Sequence, residues 1–345
     1  MASPAAAYLD LWSSQQIITC HDESVGLKAI IVIDDTTLGP ALGGVRCRLY
    51  DSTRDALLEA QRLAASMTLK HALAELPYGG GKAVVLGSRE PQTPQERAAL
   101  MVRLGEFVAQ LGGHYIPGVE MGTAHTDLLA VRAGGALVLG ADSDPSPWTA
   151  RGVFAAMRAA VLHRFGTASL EGLTVSVQGA GAVGSVLARF IAADGGTVLI
   201  ADIDVARADR VAEEVGGRPI DVVDAPYARC DVFAPCAAAR TLTPEVVARL
   251  QCSVVAGSAN DALEDGAEEA LAQRGITYVP DIVAGAGGAI HEHARSLNWD
   301  DAQLSASVDA IGPRVLKLVA EADELGLTPL ELALRQAAAR IAAGR

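Results

Sequence analysis

The 345-residue sequence predicts an α/β protein in two domains, the second a doubly wound sheet of alternating strands and helices. Three observations carry this expectation. Half of the chain is hydrophobic and only 4% aromatic, enough to fill two ordinary cores. From Leu173 onward short apolar strands alternate with helical stretches. Between Asp142 and Pro147 the composition shifts to Asp, Ser and Pro, which marks a hinge and divides the chain into residues 1–142 and 143–319. Two or three helices from Leu297 to Arg345 close the chain, and those from about 320 to 345 are expected to fold back toward the first domain.

In the first domain, residues Ile17 to Leu49 read as strands, clearest at Ala29–Ile33, before Gly39-Pro40-Ala41-Leu42-Gly43-Gly44 breaks the pattern. A helix follows, with Ala56, Ala60, Leu63 and Met67 on one face. Lys70 continues that face and puts an ammonium where a core residue is expected, although a lone lysine there more often snorkels to water. Next, Gly79-Gly80-Gly81 deliver Lys82 to the start of an apolar strand. Without Cβ atoms the three glycines admit unusual backbone conformations and a close ligand, the alternative being a plain Gly-rich turn. Two lysines beside such a platform suit an anionic, carbonyl-like molecule. After a helix from about Pro94 to Leu111, an apolar strand beginning at Tyr115 ends at Glu120, either a third member of that site or a solvated loop acid.

The second domain opens with a strand at Leu173–Val177, the turn Gly179-Ala180-Gly181-Ala182-Val183-Gly184, a helix to about Ala193, a strand at Thr197–Ala201 and then Asp202. A bare G-x-G-x-x-G is weak evidence. This one leaves a strand, opens a helix and is followed eighteen residues after Gly184 by an acid, the context of the Rossmann dinucleotide fingerprint. The glycines permit the tight turn and the approach of a pyrophosphate to free helix amides. Asp202 would accept hydrogen bonds from the adenosine ribose and repel an added phosphate, which favours NAD over NADP. Further strands at Val232–Ala234, Ser253–Ala256 and Ile276–Val279 place Ala234, Pro235, Cys236, Ala259, Asn260 and the segment from Asp281 at the carboxyl ends, where ligands of such sheets sit. His291 and His293, two apart, fall on different sides of a helix and make a poor metal pair, so no metal is expected.

A formal charge of −13 lacks the basic footprint that nucleic acid or an anionic membrane requires. The five cysteines are odd in number, widely spaced and without a C-x-x-C pair, against a disulfide framework or structural zinc and for a reducing, cytoplasmic compartment. No lysine or arginine precedes an apolar core in the first twenty residues, so no signal peptide is read. The longest uncharged run, Gly172 to Ala188, falls short of the roughly 20 residues of a membrane helix.

Gly39–Gly44, Met67-Thr68-Leu69-Lys70, Gly79–Lys82, Asp144-Pro145-Ser146-Pro147, the dinucleotide loop, Phe233–Ala237, Gly257–Asn260 and Ala286-Gly287-Gly288 together resemble the glutamate, leucine, phenylalanine and valine dehydrogenases, most closely the leucine/phenylalanine branch. The likeness runs from about Gly39 to Gly326. It implies an N-terminal substrate and oligomerisation domain, a Rossmann domain, an active site in the cleft between them, and a homo-oligomer acting on a small molecule. The implied reaction is NAD-dependent oxidative deamination: hydride transfer from the α-carbon, attack of water on the imine, and release of ammonia and a 2-oxo acid, or the reverse. Lys70 corresponds to the lysine on the substrate carboxylate and Lys82 to the one that activates water. Lys70 and burial are expected to push Lys82 toward neutrality. Gly43, Gly44 and Met67 join the substrate side, and Thr149 and Asn260 the nicotinamide side.

Three residues depart from the family pattern. Glu120 stands for its catalytic aspartate, Asp261 for the second asparagine of A-N-N, and Gly285 for the asparagine before A-G-G. The side-chain pocket corresponds to Leu42, Gly118, Ala289 and Glu292, the last a carboxylate where those relatives carry an aliphatic residue. Either the helix is shifted and Glu292 is exposed, or Glu292, with Asp261, receives a polar or cationic substrate group. The departures also leave room for an imine reductase or amine dehydrogenase of a specialised pathway. A non-catalytic dinucleotide sensor is the remaining alternative, and it has no need of both lysines.

Overall fold

A computed structural model describes residues 11–87, 93–141 and 143–344. They form two compact units, Met1–Asp144 with Arg340–Arg345, and Pro145–Ala339. Asp142, within the expected hinge, lies outside the described residues.

In the first unit the order is β1 (Gln16–Asp22), β2 (Leu27–Asp35), β3 (Ala41–Arg48), α1 (Thr53–Leu73), β4 (Gly79–Leu86), α2 (Pro94–Ala109), β5 (Tyr115–Gly118) and α3 (His125–Ala133). The sheet runs β1-β2-β4-β3-β5, antiparallel through its first three strands and parallel from β4 to β5. The unbroken apolar run of β2 is explained by burial on both faces. Ile30 and Val32 pack with Ala56, Ala60 and Ala64 of α1, whereas Ala29, Ile31 and Ile33 join Leu100, Met101, Leu104 and Leu128 of α2 and α3. Ser52 caps α1 by accepting from the Asp55 amide, and a reciprocal Thr93–Glu96 box with Pro94 starts α2.

The three glycines before Lys82 serve a different end from the one their sequence suggests. None has a positive φ, and all three are strand residues of β4. A Cβ on Gly79 would stand 1.7 Å from the Asp35 carbonyl oxygen, on Gly80 2.2 Å from Thr68 Oγ1, and on Gly81 2.8 Å from the Tyr115 ring. The space they leave is filled by the protein itself, so they let α1 and the neighbouring strands close tightly around β4 rather than clear a platform for a ligand.

The second unit contains α4 (Ser146–Phe165), β6 (Thr174–Gln178), α5 (Ala182–Ala193), β7 (Thr197–Ala201), α6 (Val205–Val215), β8 (Arg218–Pro219), β9 (Val232–Pro235), α7 (Pro244–Arg249), β10 (Val254–Val255), α8 (Ala267–Gln273), β11 (Thr277–Tyr278), α9 (Asp281–Ala284), α10 (Gly287–Ser296), α11 (Asp301–Asp309), α12 (Ile311–Leu325) and α13 (Pro329–Ala343). Its sheet, β11-β10-β9-β6-β7-β8, is parallel throughout, and the strand order reverses between β6 and β9. Residues up to Ala339 belong to this unit and Arg340–Arg345 to the first, so the return expected from about 320 is confined to the end of the chain. The reason is the apolar face of α12. Ile311, Val315, Leu318, Val319 and Ala322 are buried as α12 packs on α4, where Gly152 lets Ile311 come close. Among the described residues no helix is long and apolar enough to cross a membrane.

Candidate active site

Lys82 lies on β4 with its side chain only 2% exposed, and its ammonium donates to Glu120 Oε2 in a short contact. Glu120 follows the end of β5, separated from β4 in the sheet by β3 alone. Its backbone is fixed locally. The Glu120 amide donates to Thr123 Oγ1 at 3.0 Å, and the Thr123 hydroxyl lies 2.9 Å from the Val45 carbonyl oxygen. Oε1 of Glu120 accepts from the Met121 amide at 2.9 Å and from Arg46 Nη2 at 3.2 Å. Arg46 in turn donates from Nη1 to Glu59 Oε1 at 2.7 Å, and the Tyr50 hydroxyl reaches the other oxygen of Glu59.

Electrostatics follow from this geometry. Burial pushes the Glu120 acid up, but Lys82 and Arg46 outweigh it and hold the carboxyl well below its ordinary range. Burial pushes Lys82 down, and Arg46 adds to that while Glu120 opposes it. Arg46 is thus a like charge acting on Lys82, because the two cations share the Glu120 carboxylate.

Lys70 is buried at 6% exposure in the last turn of α1, beyond buried Ala56, Ala60 and Leu63 and half-buried Met67. Leu42, Gly43 and Gly44 of β3 pair with Ile116, Pro117 and Gly118. A Cβ on Gly44 would press 2.6 Å from the Glu120 Cβ, and one on Gly43 1.7 Å from the Gly81 carbonyl oxygen. At Gly118 it would meet only the Leu139 carbonyl oxygen, at 3.7 Å. The first unit thus gathers Lys82, Glu120 and Gly44, and adds Arg46, Glu59 and Tyr50, which sequence reasoning missed. The available signal was an arginine within an apolar strand and a glutamate between the core positions Ala56, Ala60 and Leu63 of α1.

In the second unit the three fingerprint glycines do three different things. Gly179 has φ +109°, and its amide donates to the Ala201 carbonyl oxygen at 2.7 Å, making the tight turn. A Cβ on Gly184 would stand 1.9 Å from the Gly179 carbonyl oxygen, so this glycine seats α5 on the turn. A Cβ on Gly181 would meet nothing within 4 Å. That open approach beside the start of α5, with Ala182 exposed and Val183 half-buried, fits a pyrophosphate. Asp202 Oδ2 accepts from the Ala180 amide at 2.7 Å and Oδ1 from the Asp204 amide at 2.9 Å, with Arg207 Nη1 3.4 Å away. The Ala180 contact ties Asp202 to the loop, the Asp204 contact to the start of α6, and Arg207 Nη1 also lies 3.5 Å from Oδ2.

Along the sheet, Cys236 flanks the loop, its carbonyl oxygen 2.8 Å from where a Gly179 Cβ would be. Ala234 and Pro235 end β9, and the Ala259 amide donates to Pro235 at 2.9 Å. Asn260 is half-buried beside Asp261, whose φ is +54° and whose amide donates to Asp281 Oδ2 at 3.0 Å. Thr149 donates to the Pro145 carbonyl oxygen at 3.2 Å, and Gly288 accommodates its hydroxyl. Ala289 and Glu292 lie on α10. Glu292 is buried rather than exposed, with Oε1 3.2 Å from His291 Nδ1 and Oε2 without a hydrogen-bond partner among the described residues. His291 stacks on Trp148 at 6.2 Å. Among the described residues no group of three or more His, Cys, Asp or Glu is placed to hold a metal ion.

A parallel sheet with this loop in one unit and a buried lysine–carboxylate pair in the other are the features of a dinucleotide-dependent oxidoreductase. Residues 14–134 match the Glu/Leu/Phe/Val dehydrogenase dimerisation domain, and residues 203–345 the glutamate/leucine/phenylalanine/valine dehydrogenase domain. Leucine dehydrogenase of Thermoactinomyces intermedius is 37% identical over 97% of this chain and 92% of its own length. Valine dehydrogenase of Streptomyces coelicolor is 36% identical over 97% of this chain and 94% of its own. The crystal structure of L-tryptophan dehydrogenase from Nostoc punctiforme superposes with a TM-score of 0.80 at 34% identity, covering 96% of this chain and 97% of that one. The chain belongs to the Glu/Leu/Phe/Val dehydrogenase family. It is an NAD-dependent enzyme acting on the CH–NH2 group of an amino acid, in oxidative deamination or the reverse.

Proposed function

We propose that this dehydrogenase takes an amino acid with a polar or cationic side chain, with Lys70 binding the substrate carboxylate, Lys82 as general base and Glu120 as its proton partner. The observation that supports the base is the buried Lys82–Glu120 contact, in which burial and Arg46 both work against the lysine's charge. NAD, when bound, supplies the hydride acceptor. Gly179, Gly181, Gly184 and the start of α5 would hold its pyrophosphate and Asp202 its ribose, with Thr149, Cys236 and Asn260 on the nicotinamide side. The chain's own residues do the rest. Lys70 fixes the carboxylate, Lys82 accepts a proton from water as it attacks the imine carbon, and Glu120 stabilises the ammonium so formed. Lys82→Ala should lower kcat about 10²- to 10⁴-fold and leave the Kd for NAD within about twofold, whereas Lys70→Ala should mainly raise KM. A Lys82→Ala enzyme keeping more than about a tenth of wild-type kcat removes the base role.

The polar substrate rests on Glu292, buried with one carboxylate oxygen lacking a partner, a costly arrangement that a cationic or hydrogen-bonding group would relieve. A spectrophotometric panel of amino acids and amines with NAD tests it, and should include leucine, phenylalanine, tryptophan and basic side chains. Preference for leucine or phenylalanine over every polar amino acid overturns the assignment; Glu292→Val should shift preference toward aliphatic substrates. Turnover of amines alone would favour the specialised amine or imine enzyme to which Glu120 and Asp261 also point. We further place the enzyme in the cytoplasm, on its five free cysteines, and as a homo-oligomer through the first unit, on the match to a dimerisation domain. Light scattering on the purified chain tests the latter.

A further inference from the structure

Arg46 stands on β3 at 5% exposure, on a strand whose other residues from Ala41 to Val45 are buried apolar or glycine. A guanidinium is costly to bury and is retained where its fork holds specific acceptors. Here one nitrogen, Nη1, is anchored on Glu59 at 2.7 Å, and Nη2 reaches Glu120 Oε1 at 3.2 Å. Glu59 comes from α1 and is held from its other side by Tyr50, with Arg48 at 3.5 Å. The groups facing Glu120 are then Lys82 on β4, Arg46 on β3 and the Met121 amide, with the Tyr115 ring buried beneath. Glu59, Arg46, Glu120 and Lys82 alternate in sign, so the buried cluster is neutral when all four are ionised. The two oxygens of Glu120 are divided between two cations, Oε1 on Arg46 and Oε2 on Lys82. A glutamate side chain is long and flexible, and a second anchor is what limits it to one orientation.

We propose that Arg46, anchored by Glu59, is a positioning residue that turns the Glu120 carboxylate so that a single oxygen faces Lys82. This rests on the reading of Lys82 and Glu120 as the proton-handling pair. Arg46 touches neither substrate nor cofactor in this role; it acts through Glu120.

The test compares Arg46→Gln, Arg46→Lys and Glu59→Gln in the full-length enzyme with saturating NAD, measuring kcat, KM, the pH profile of kcat, the Kd for NAD and the thermal midpoint. Arg46→Gln should lower kcat about tenfold or more with KM changed less than about threefold. It should also move the rising limb of the profile to higher pH, because removing Arg46 takes a like charge away from Lys82. Arg46→Lys, which restores the charge without the fork, should recover part of the rate and return the limb toward the wild-type pH. Glu59→Gln, which leaves Arg46 unanchored, should shift kcat in the same direction by less. A folded Arg46→Gln enzyme with wild-type kcat and pH profile overturns the proposal, even if its thermal midpoint falls, because a purely structural ion pair predicts that result. Should Arg46→Gln not fold, a folded Glu59→Gln enzyme with unchanged kcat and profile overturns it as well. Failure of the underlying reading is seen separately, in a Lys82→Ala enzyme that keeps more than about a tenth of wild-type kcat.

Discussion

Glu120 is a carboxylate held ionised by two cations at the cost of burial, and its folded pKa lies below the ordinary 4.5. A depressed acid stabilises the fold fully above its unfolded pKa, and that contribution is lost as pH falls through the folded value. Glu120→Gln should therefore lose on the order of 3 kcal/mol near neutral pH, the scale of breaking a buried ion pair, with the gap to wild type closing only in strongly acid solution. Urea unfolding across a pH series reads this directly, and a gap that does not change with pH would contradict it. Lys82 has the opposite sign. Its folded pKa is below 10.5, so its charged form weakens the fold and that penalty fades as pH rises toward the unfolded value. Asp202 accepts from the Ala180 amide, and we assign it the cofactor ribose as well. Asp202→Ala should therefore weaken NAD binding by about tenfold or more, since a charge-assisted hydrogen bond contributes roughly 1.5 to 3 kcal/mol. Titration calorimetry with NAD and NADP checks this, and equal affinity for the two cofactors in the wild type would count against the role given to Asp202.

Glycines of the same kind do opposite work in β4 and at the start of α5. A methyl group on Gly80 would lie 2.2 Å from Thr68 Oγ1 and 2.3 Å from the Ala64 carbonyl oxygen, so Gly80→Ala must push α1 off the sheet. Overpacking of this kind costs about 1 to 3 kcal/mol, and the thermal midpoint should fall whether or not ligand is present. Gly181→Ala meets no protein atom within 4 Å and should fold with an unchanged midpoint, yet lose NAD affinity because the methyl occupies the approach of the pyrophosphate. A Gly181→Ala protein that binds NAD as tightly as wild type would remove the loop from the cofactor site. The sequence made both glycine clusters look like ligand loops. Only the positions of Asp35, Thr68 and Tyr115, each on a different element from β4, assign the first cluster to packing.

At the scale of the molecule, the dinucleotide loop and Lys82 belong to different compact units, so the cofactor binding and proton transfer proposed for them should be separable by mutation. NAD at a hundredfold excess over its Kd should stabilise the enzyme by about 2.7 kcal/mol. Lys82→Ala should keep that stabilisation in a thermal-shift titration while losing turnover; loss of both together would mean that the units do not divide the work. Much of this organisation was legible from local signals. The alternation of β6, β7, β9, β10 and β11 with helices, the turn at Gly179–Gly184, the apolar face of α1 and the start of α2 follow from periodicity and turn sterics that act within a few residues. What the sequence could not supply was which distant groups meet. Helix α12 stays with the second unit because its face fits α4, and a hydrophobic face does not name its partner. Glu120 lies 38 residues from Lys82 and 74 from Arg46, and the strand order β4-β3-β5 alone brings the three together. The sequence by itself determined most of the elements, the cofactor loop and the presence of a lysine after the three glycines of β4. The tertiary structure decided that Arg46 is a second cation on the carboxylate that lysine contacts, because charge coupling depends on distance in space and not on separation along the chain.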